Sequence, residues 1–389
     1  FQEVINHSNS VTMAVTITSE PSAWQTSDNP QNYIFSSDQT GEANFSFKVE
    51  LKVDGAVIYE DKVFVEVSTL AHFDASTISR YKASGPVLNS ALFAESGTTR
   101  TIQLVVTENY GEPAVDQLSA SSTVTKIFKA NVSDKEYIAN DYDTDFKGQK
   151  WLTDHPTNSM QALRTQEKCL SIIGGGVSSV LTMVFYNSVG IVLHTYNSPA
   201  QTFELWQLNL VAKNLTLIAG VPNLSLVTRY TVQVGTSDIV TITYLDDYSH
   251  APTAMTWVNH YGAFDSFIFQ HSHLESGTTK SSNYTRQFGG WENTSYTFDL
   301  ANSGPVDYFK NNLQKGKVVT DYLTEQIHTW FIRSLVAKGL GHTLYLIDGT
   351  NYPVTLTTKN YNIKLRRWED LISEVIAFDI SYSDNSPVL

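Results

Sequence analysis

"NFSFKVELKVDGAVIYEDKVFVEV", Asn44 to Val67, decides how this chain is read. In its first half Phe45, Phe47, Val49, Leu51 and Val53 alternate with Ser46, Lys48, Glu50 and Lys52. Successive side chains of an extended backbone point to opposite faces, so this is a strand with one face in a core and one in water. Asp54-Gly55 follows, a pair that tolerates the positive φ angles of a tight two-residue hairpin. The return strand sets Ala56 opposite Val53 and Ile58 opposite Leu51, and puts Val63, Val65 and Val67 on one face. The apolar parity changes between Ile58 and Val63, which predicts a bulge near Glu60–Asp61. The preceding "VTMAVTITSEPSAW", 11–24, adds a strand ending at Pro21. Residues 1–86 therefore read as an immunoglobulin-like β-sandwich closed by a short helix. In that helix Asp74 is the expected N-cap, Phe73 packs on Ile78, and Gly85-Pro86 ends it.

The same vocabulary runs through most of the 389 residues, with 20 Tyr and 19 Phe against 17% charged residues. Aromatic and β-branched residues favour strands, so the expected fold class is mainly β, a multidomain β-sandwich or jelly-roll protein with a C-terminal α+β module. From 87 to 270, strand patterns recur with Asn, Gly and Pro punctuation, interrupted by the polar excursion "DKEYIANDYDTDFKGQKWLTDHPTNS", 134–159. From 271 to 389 the period changes. Leu323, Ile327, Trp330, Phe331 and Leu335 share one face of an amphipathic helix expected over 321–338, with Lys338-Gly339 as its stop. Short strands follow it, with Asp348-Gly349 as a turn.

Composition excludes several function classes. There are 26 basic and 39 acidic residues, a net charge of −13. The only dense basic run, Lys364, Arg366 and Arg367, is too short to neutralise a phosphate backbone, so no nucleic-acid partner is expected. A single cysteine, Cys169, excludes an intrachain disulfide and a cysteine-rich zinc site. No apolar run approaches the roughly 18 residues that span a bilayer, so no membrane insertion is expected. "FQEVINHSNS", 1–10, has neither a charged n-region nor an apolar core, so no signal peptide is expected.

No catalytic constellation is legible, and no enzyme, cofactor or metal is expected. Asp141, Asp143 and Asp145 have the alternate-acid spacing of a calcium loop. The sixth and twelfth positions are Phe146 and Leu152, where an EF-hand needs Gly and Glu. That leaves an irregular calcium site or, better, a solvated acidic loop. His271 and His273, with Glu275, share a strand face but lack a third and fourth metal ligand at readable spacing; His250 and His260 are near only in sequence. Gly174, Gly175 and Gly176 lack the Lys-Ser/Thr of a phosphate loop and read as a turn. Asp246-Asp247 point opposite ways on a strand. Cys169 lacks a legible catalytic context.

"WVNHYGAFDSFIF", 257–269, holds five aromatics. Phe267 and Phe269 share a face, and Asn259 to Gly262 read as a turn. A sugar platform would expose its aromatics on one face. The alternation favours burial and a structural corner closing the middle block. "FGGWENTSYTF", 288–298, reads as an imperfect second copy of 261–269.

Trp257, Val258, Asn259, Gly262, Phe264, Asp265, Phe267 and Phe269 resemble a pattern in virion structural proteins of phages infecting Bacteroidetes, of crAss-like and flavobacterial type. This chain has Ala263 and Phe264 where that family commonly has Gly and Trp. "HFDASTISRY", with Phe73, Asp74, Ile78 and Tyr81, is similar to the family's N-terminal module. The C-terminal helix, "YPVTLTTKNYNIK" and "EVIAFDISYS" are similar to its end module. The resemblance implies a tail, baseplate or fibre-attachment component that assembles with other virion proteins and copies of itself. It supplies no catalytic residues. Two other classes stay open: a carbohydrate-binding adhesin that meets a host-surface glycan, and a polysaccharide-degrading enzyme, which would need two carboxylates about 5–10 Å apart in a cleft.

Overall fold

Asp54 and Gly55 both take positive φ, 49° and 82°, and the hairpin closes around them with Val53 opposite Ala56. In this computed structural model the described residues are 15–66, 69–88, 90–221, 223–246, 252–270, 273–286, 289–292, 294–298, 304–339, 343–347, 350–360 and 372–380. The register break lies closer to the turn than Glu60–Asp61. Leu51 pairs with Tyr59 and Lys52 with Val57, so Ile58 is the extra residue. The shift restores the apolar face early: Phe47, Val49 and Leu51 are fully buried.

The first sandwich packs a three-stranded sheet, Thr16–Ser19, Asn32–Ser36 and Leu70–Asp74, on a six-stranded one. Their shared core runs from Tyr33 and Phe35 to Phe47, Val49, Leu51, Leu104 and Val106. The larger sheet draws Arg100–Gly111, Ala114–Ser121 and Thr125–Phe128 from beyond residue 86, because the open edge of Ser46–Val53 pairs with Arg100–Gly111. Asp74 ends a strand, and the helix starts at Ser76; the Asp74 carboxylate still accepts the Ser76 N–H at 2.9 Å.

The second sandwich sets five strands, ordered Ser159–Ala162, Val240–Tyr244, Arg229–Val234, Leu181–Tyr186, Val192–Asn197, against three: Cys169–Ile173, Leu205–Asn209 and Phe93–Glu95. Trp206, Phe185, Tyr230 and Met183 fill its core.

The third unit is a seven-stranded antiparallel sheet ordered Phe264–Phe269, Thr253–Val258, Thr343–Ile347, Thr350–Leu356, Val375–Ile380, Gly304–Val319 and His273–Arg286. The aromatic stretch is thus a hairpin of this sheet, although it precedes residue 271. The helix expected over 321–338 begins at Glu325, with the Thr324 hydroxyl accepting the Ile327 N–H. It continues through a π-turn, Ile332–Ala337, and lays Trp330, Phe331, Ile332 and Leu335 on Trp257, Phe269 and Phe378. The Asp348-Gly349 turn lies outside the described residues, but the strands on either side of it are antiparallel neighbours.

Both faces of the hairpin Thr253–Val258/Phe264–Phe269 are covered. Trp257 and Phe269 meet the helix, while Ala254 and Ile268 meet Leu163, and Val258 and Phe264 meet Cys169 of the second sandwich. Strict alternation predicts one buried face; a strand packed between two layers buries both. The second copy at 288–298 has a different backbone. Gly289–Glu292 and Ser295–Phe298 form a separate two-stranded ribbon in which Gly289 and Gly290 lie in a strand, whereas Gly262 sits in a turn at φ +71°.

Candidate functional site

Asn259 opens the hairpin loop and organises it. Its side-chain oxygen accepts the N–H groups of Tyr261 and Ala263 at 3.0 and 3.1 Å, a backbone-mimicking turn that Asn suits. Its amide donates to the Leu152 carbonyl at 2.9 Å and to Asp265 at 3.0 Å. Asp265 also accepts from Thr153 at 2.8 Å and from Ser334 at 3.3 Å, and Ser334 receives the Trp257 indole N–H at 2.9 Å. One buried polar network therefore ties the hairpin to the 134–159 excursion and to the C-terminal helix. Buried polar groups are stable only when partnered, so this network fixes how the three elements meet.

Beside it, the loop seats on the first sandwich. Asn131 N–H donates to the His260 carbonyl at 2.8 Å. Tyr261 and Ala263 share a core with Trp24 and Phe128 of the first sandwich, Tyr142, Phe146 and Leu152 of the excursion, and Ile173 and Leu205 of the second sandwich. The excursion is held down by a Ser133/Glu136 capping box at its helix Asp134–Ala139 and by Trp151, which bridges to Ile172. The aromatic stretch is a joint of all three units.

The titratable groups around the joint are unusual. Lys338, at the end of the C-terminal helix, donates to Glu136 at 2.9 Å across 202 residues of chain. Burial is the largest influence on Glu136 and opposes ionisation, yet the hydrogen bonds from Lys338 and Ser133 together bring it down to about 2. The fully buried His260 ring lies 4.2 Å from that of Tyr261, with Nε2 3.8 Å from Glu136 and 4.0 Å from Asp154. Neither ring nitrogen has a hydrogen-bond partner, and burial together with Lys338 depresses His260 to about 4. Burial and then the Asp265 charge raise Asp154 to about 7. Among the described residues no group of three His, Cys, Asp or Glu side chains is placed to hold a metal.

A cleft of about 450 Å³ opens between the second sandwich and the C-terminal unit. Met160, Gln161 and Thr243 form one wall; Phe267, Gln270, Asp321, Tyr322 and Trp330 form the other. His155 lies edge-on to Trp330, ring centres 4.4 Å apart, and burial lowers its basicity. Lys168 donates to Ser266 at 3.0 Å in the cleft wall, and burial lowers it to about 8 despite the nearby Asp265. The cleft combines aromatic edges with amide, hydroxyl and carboxylate groups. That is a lining able to hold a polar, partly apolar ligand such as a sugar.

The residues singled out in the sequence fall elsewhere. Asp141, Asp143 and Asp145 do not converge: Asp141 accepts the Asp143 N–H at 3.0 Å, Asp145 accepts the Asp141 N–H at 2.8 Å, and Asp143 pairs with Lys147 at 3.0 Å. The acids serve a π-turn, Tyr142–Phe146, that buries both aromatics. Gly174 and Gly175 donate to the Glu204 carbonyl in a turn packed under Trp206. Asp246 pairs with Arg164, which also donates to the Val227 carbonyl at 2.9 Å. Cys169 is buried, and burial raises its thiol to about 12, far from a reactive thiolate. His250, His271, Asp247 and the run Lys364, Arg366, Arg367 lie outside the described residues, as does the His273 side chain. Sequence reading missed Glu136, Asp154, Lys168 and Lys338, because the burial of Asp154 and Lys168 and the contact of Lys338 with Glu136 arise only when distant segments pack; the one local signal was the capping-box spacing of Ser133 and Glu136.

No helix among the described residues is long and apolar enough to cross a membrane. No family model matches the chain, and no curated protein matches it. Among solved structures, the full extracellular region of plexin A4 aligns at 8% identity over 96% of this chain and 37% of that one, TM-score 0.19. The TIE protein of Bacillus anthracis aligns at 9% identity over 97% of this chain and 74% of that one, TM-score 0.14. At these scores neither likeness bears on function.

Proposed function

We propose that this chain is a structural protein of a phage virion, a tail, baseplate or fibre-attachment component that works by assembly rather than catalysis. Its partners are then other virion proteins and copies of itself, and its location is the virion. The observation that carries the reading is the use made of the motif on which the resemblance rests. Asn259, Gly262, Asp265 and Trp257 are all spent on holding three units in one arrangement. A particle component must pass load and position between neighbours, and a shared buried joint suits that better than flexible linkers. The test is mass spectrometry of purified virions of the phage that encodes the chain. Stoichiometric presence supports the reading, and absence from the particle removes it.

A second reading is favoured by the cleft. Tyr322 is 65% exposed at its rim, beside Trp330, Gln161 and Gln270, so a host-surface glycan has a place to bind. Trp257 has no part in that site, being 1% exposed beneath the helix. Glycan-array binding lost in Tyr322→Ala would support this adhesin reading; silence of the unaltered protein across surface polysaccharides would end it.

A further inference from the structure

Lys168 stands at the start of the strand Cys169–Ile173, where the hairpin Thr253–Val258/Phe264–Phe269 closes over the second sandwich. It is 4% exposed, yet it lines the cleft of about 450 Å³. Its ammonium carries three N–H donors. One is used, on the Ser266 hydroxyl at 3.0 Å, and among the described residues the amine makes no other hydrogen bond and no ion pair. Asp265 acts on it through space, but both oxygens of that carboxylate are engaged by Thr153, Asn259 and Ser334. A buried ammonium is costly unless an opposite charge or a full set of acceptors meets it. The described residues supply one hydroxyl, so the position suits a partner from outside.

The rest of the cleft indicates what kind of molecule brings that partner. His155 places Nδ1 2.7 Å from the Thr157 carbonyl, so in the neutral ring that nitrogen donates and Nε2 is an acceptor. The ring stands edge-on to Trp330, and Tyr322 is exposed at the rim. A second cavity of about 270 Å³ shares His155 and Met160 with the first and continues past Trp151, Asn158 and Tyr261. Two cavities joined at one histidine make a groove for several linked rings rather than for one.

We propose that the two cavities form one groove for an acidic oligosaccharide, with a sugar carboxylate seated on Lys168 and the linked rings passing His155. The proposal rests on the reading of the cleft as a glycan site and gives that glycan its charge. A carboxylate fits better than a hydroxyl because it neutralises the buried ammonium as well as meeting its donors. Asp321 is the only carboxylate among the described residues lining the larger cavity, and it neighbours Tyr322, where ring hydroxyls are the partners it suits. The net charge of −13 disfavours anions in general, so selection of an acidic glycan has to come from Lys168 itself.

The full chain is tested on an array of oligosaccharides bearing uronic or sialic acids, each beside its carboxyl-reduced, neutral counterpart, with sulfated and phosphorylated glycans included. Calorimetry then measures the best-bound pair. The acidic member should bind at least about tenfold tighter than the neutral one at about pH 7. In Lys168→Met, which keeps an unbranched stem, the two should bind alike. Its thermal midpoint should equal or exceed that of the parent, because a buried charge is removed.

A second measurement needs no variant. Burial lowers Lys168 to about 8 despite Asp265, so between about pH 8 and 10 this amine loses its proton. Over that range Asp154, raised to about 7, is ionised, His155, lowered by burial, is neutral, and Cys169, raised to about 12, keeps its proton. A bound carboxylate favours the ammonium, so affinity for the acidic glycan should fall about tenfold per pH unit above about 8 while that for the neutral one stays flat. Acidic and neutral members that bind equally, or binding confined to sulfated or phosphorylated glycans, overturn the proposal and leave the glycan reading standing. An acidic preference that survives in Lys168→Met, or an affinity indifferent to pH above about 8, overturns it as well. Silence across the whole array removes both readings of the cleft.

Discussion

Gly262 lies so close to the backbone of Lys129 that a Cβ on it would stand 1.6 Å from the Lys129 carbonyl oxygen. The same residue has φ +71°, where a side chain is strained in any surroundings. Both demands come from the hairpin loop pressing on the chain just past Thr125–Phe128. Gly262→Ala should cost roughly 2–4 kcal/mol, combining the left-handed penalty with forced backbone movement. Gly290→Ala is the matched control, with nothing within 4 Å of its Cβ position. Urea midpoints of the two variants check this; equal midpoints would mean that the joint can slide.

Ser334→Ala should cost about 1–3 kcal/mol, since it leaves the Trp257 indole N–H buried without its acceptor. Replacing Trp257 by Phe in the same background should recover part of the loss, because both partners are then removed together. A double-mutant cycle measures it. Purely additive losses would show that the bond contributes nothing.

Asn259→Asp exchanges a donor for an acceptor. The new carboxylate faces the Leu152 carbonyl and Asp265, both acceptors. The variant should be destabilised more at about pH 8 than at roughly pH 5, where a buried carboxyl regains its proton. Midpoints that fall equally at both values would place the loss in packing rather than charge.

Asp154 and His260 pull stability in opposite directions with pH. Asp154 rises from 3.8 to about 7 on folding, so its contribution is full below 3.8 and is lost as pH rises towards 7. His260 falls from 6.5 to about 4, so its contribution is full above 6.5 and is lost as pH falls towards 4. Over the window they share, the slopes oppose and the unaltered protein should be nearly flat. Asp154→Asn should leave stability rising with pH there. His260→Phe, which keeps the ring on Tyr261, should leave it falling. Chemical denaturation across that window tests both, and an Asp154→Asn profile parallel to the parent would refute the assignment.

The alternation at Phe45–Val53, the Asp54-Gly55 turn, the apolar face of the C-terminal helix and the turn at Gly262 all follow from local rules, so they are legible in the sequence. The register break moved to Ile58, and the third sheet took the aromatic hairpin, because strand pairing is settled by partners far along the chain. The candidate site was legible only in part. Asn259 and Asp265 stand out beside aromatics, and burial of one face of the hairpin follows from its alternation; burial of the other does not. The network they enter needs Thr153 and Ser334, and the cleft needs Lys168 and Trp330, which meet only after three units pack.

By itself the sequence determined the class of this protein: a period of two over most of its length, punctuated by turn residues, allows little but packed sheets. Tertiary structure alone decided that the sheets share a joint rather than hang on linkers. The reason is that periodicity reports which side of a strand is buried, whereas the identity of what buries it is a property of contacts between distant segments.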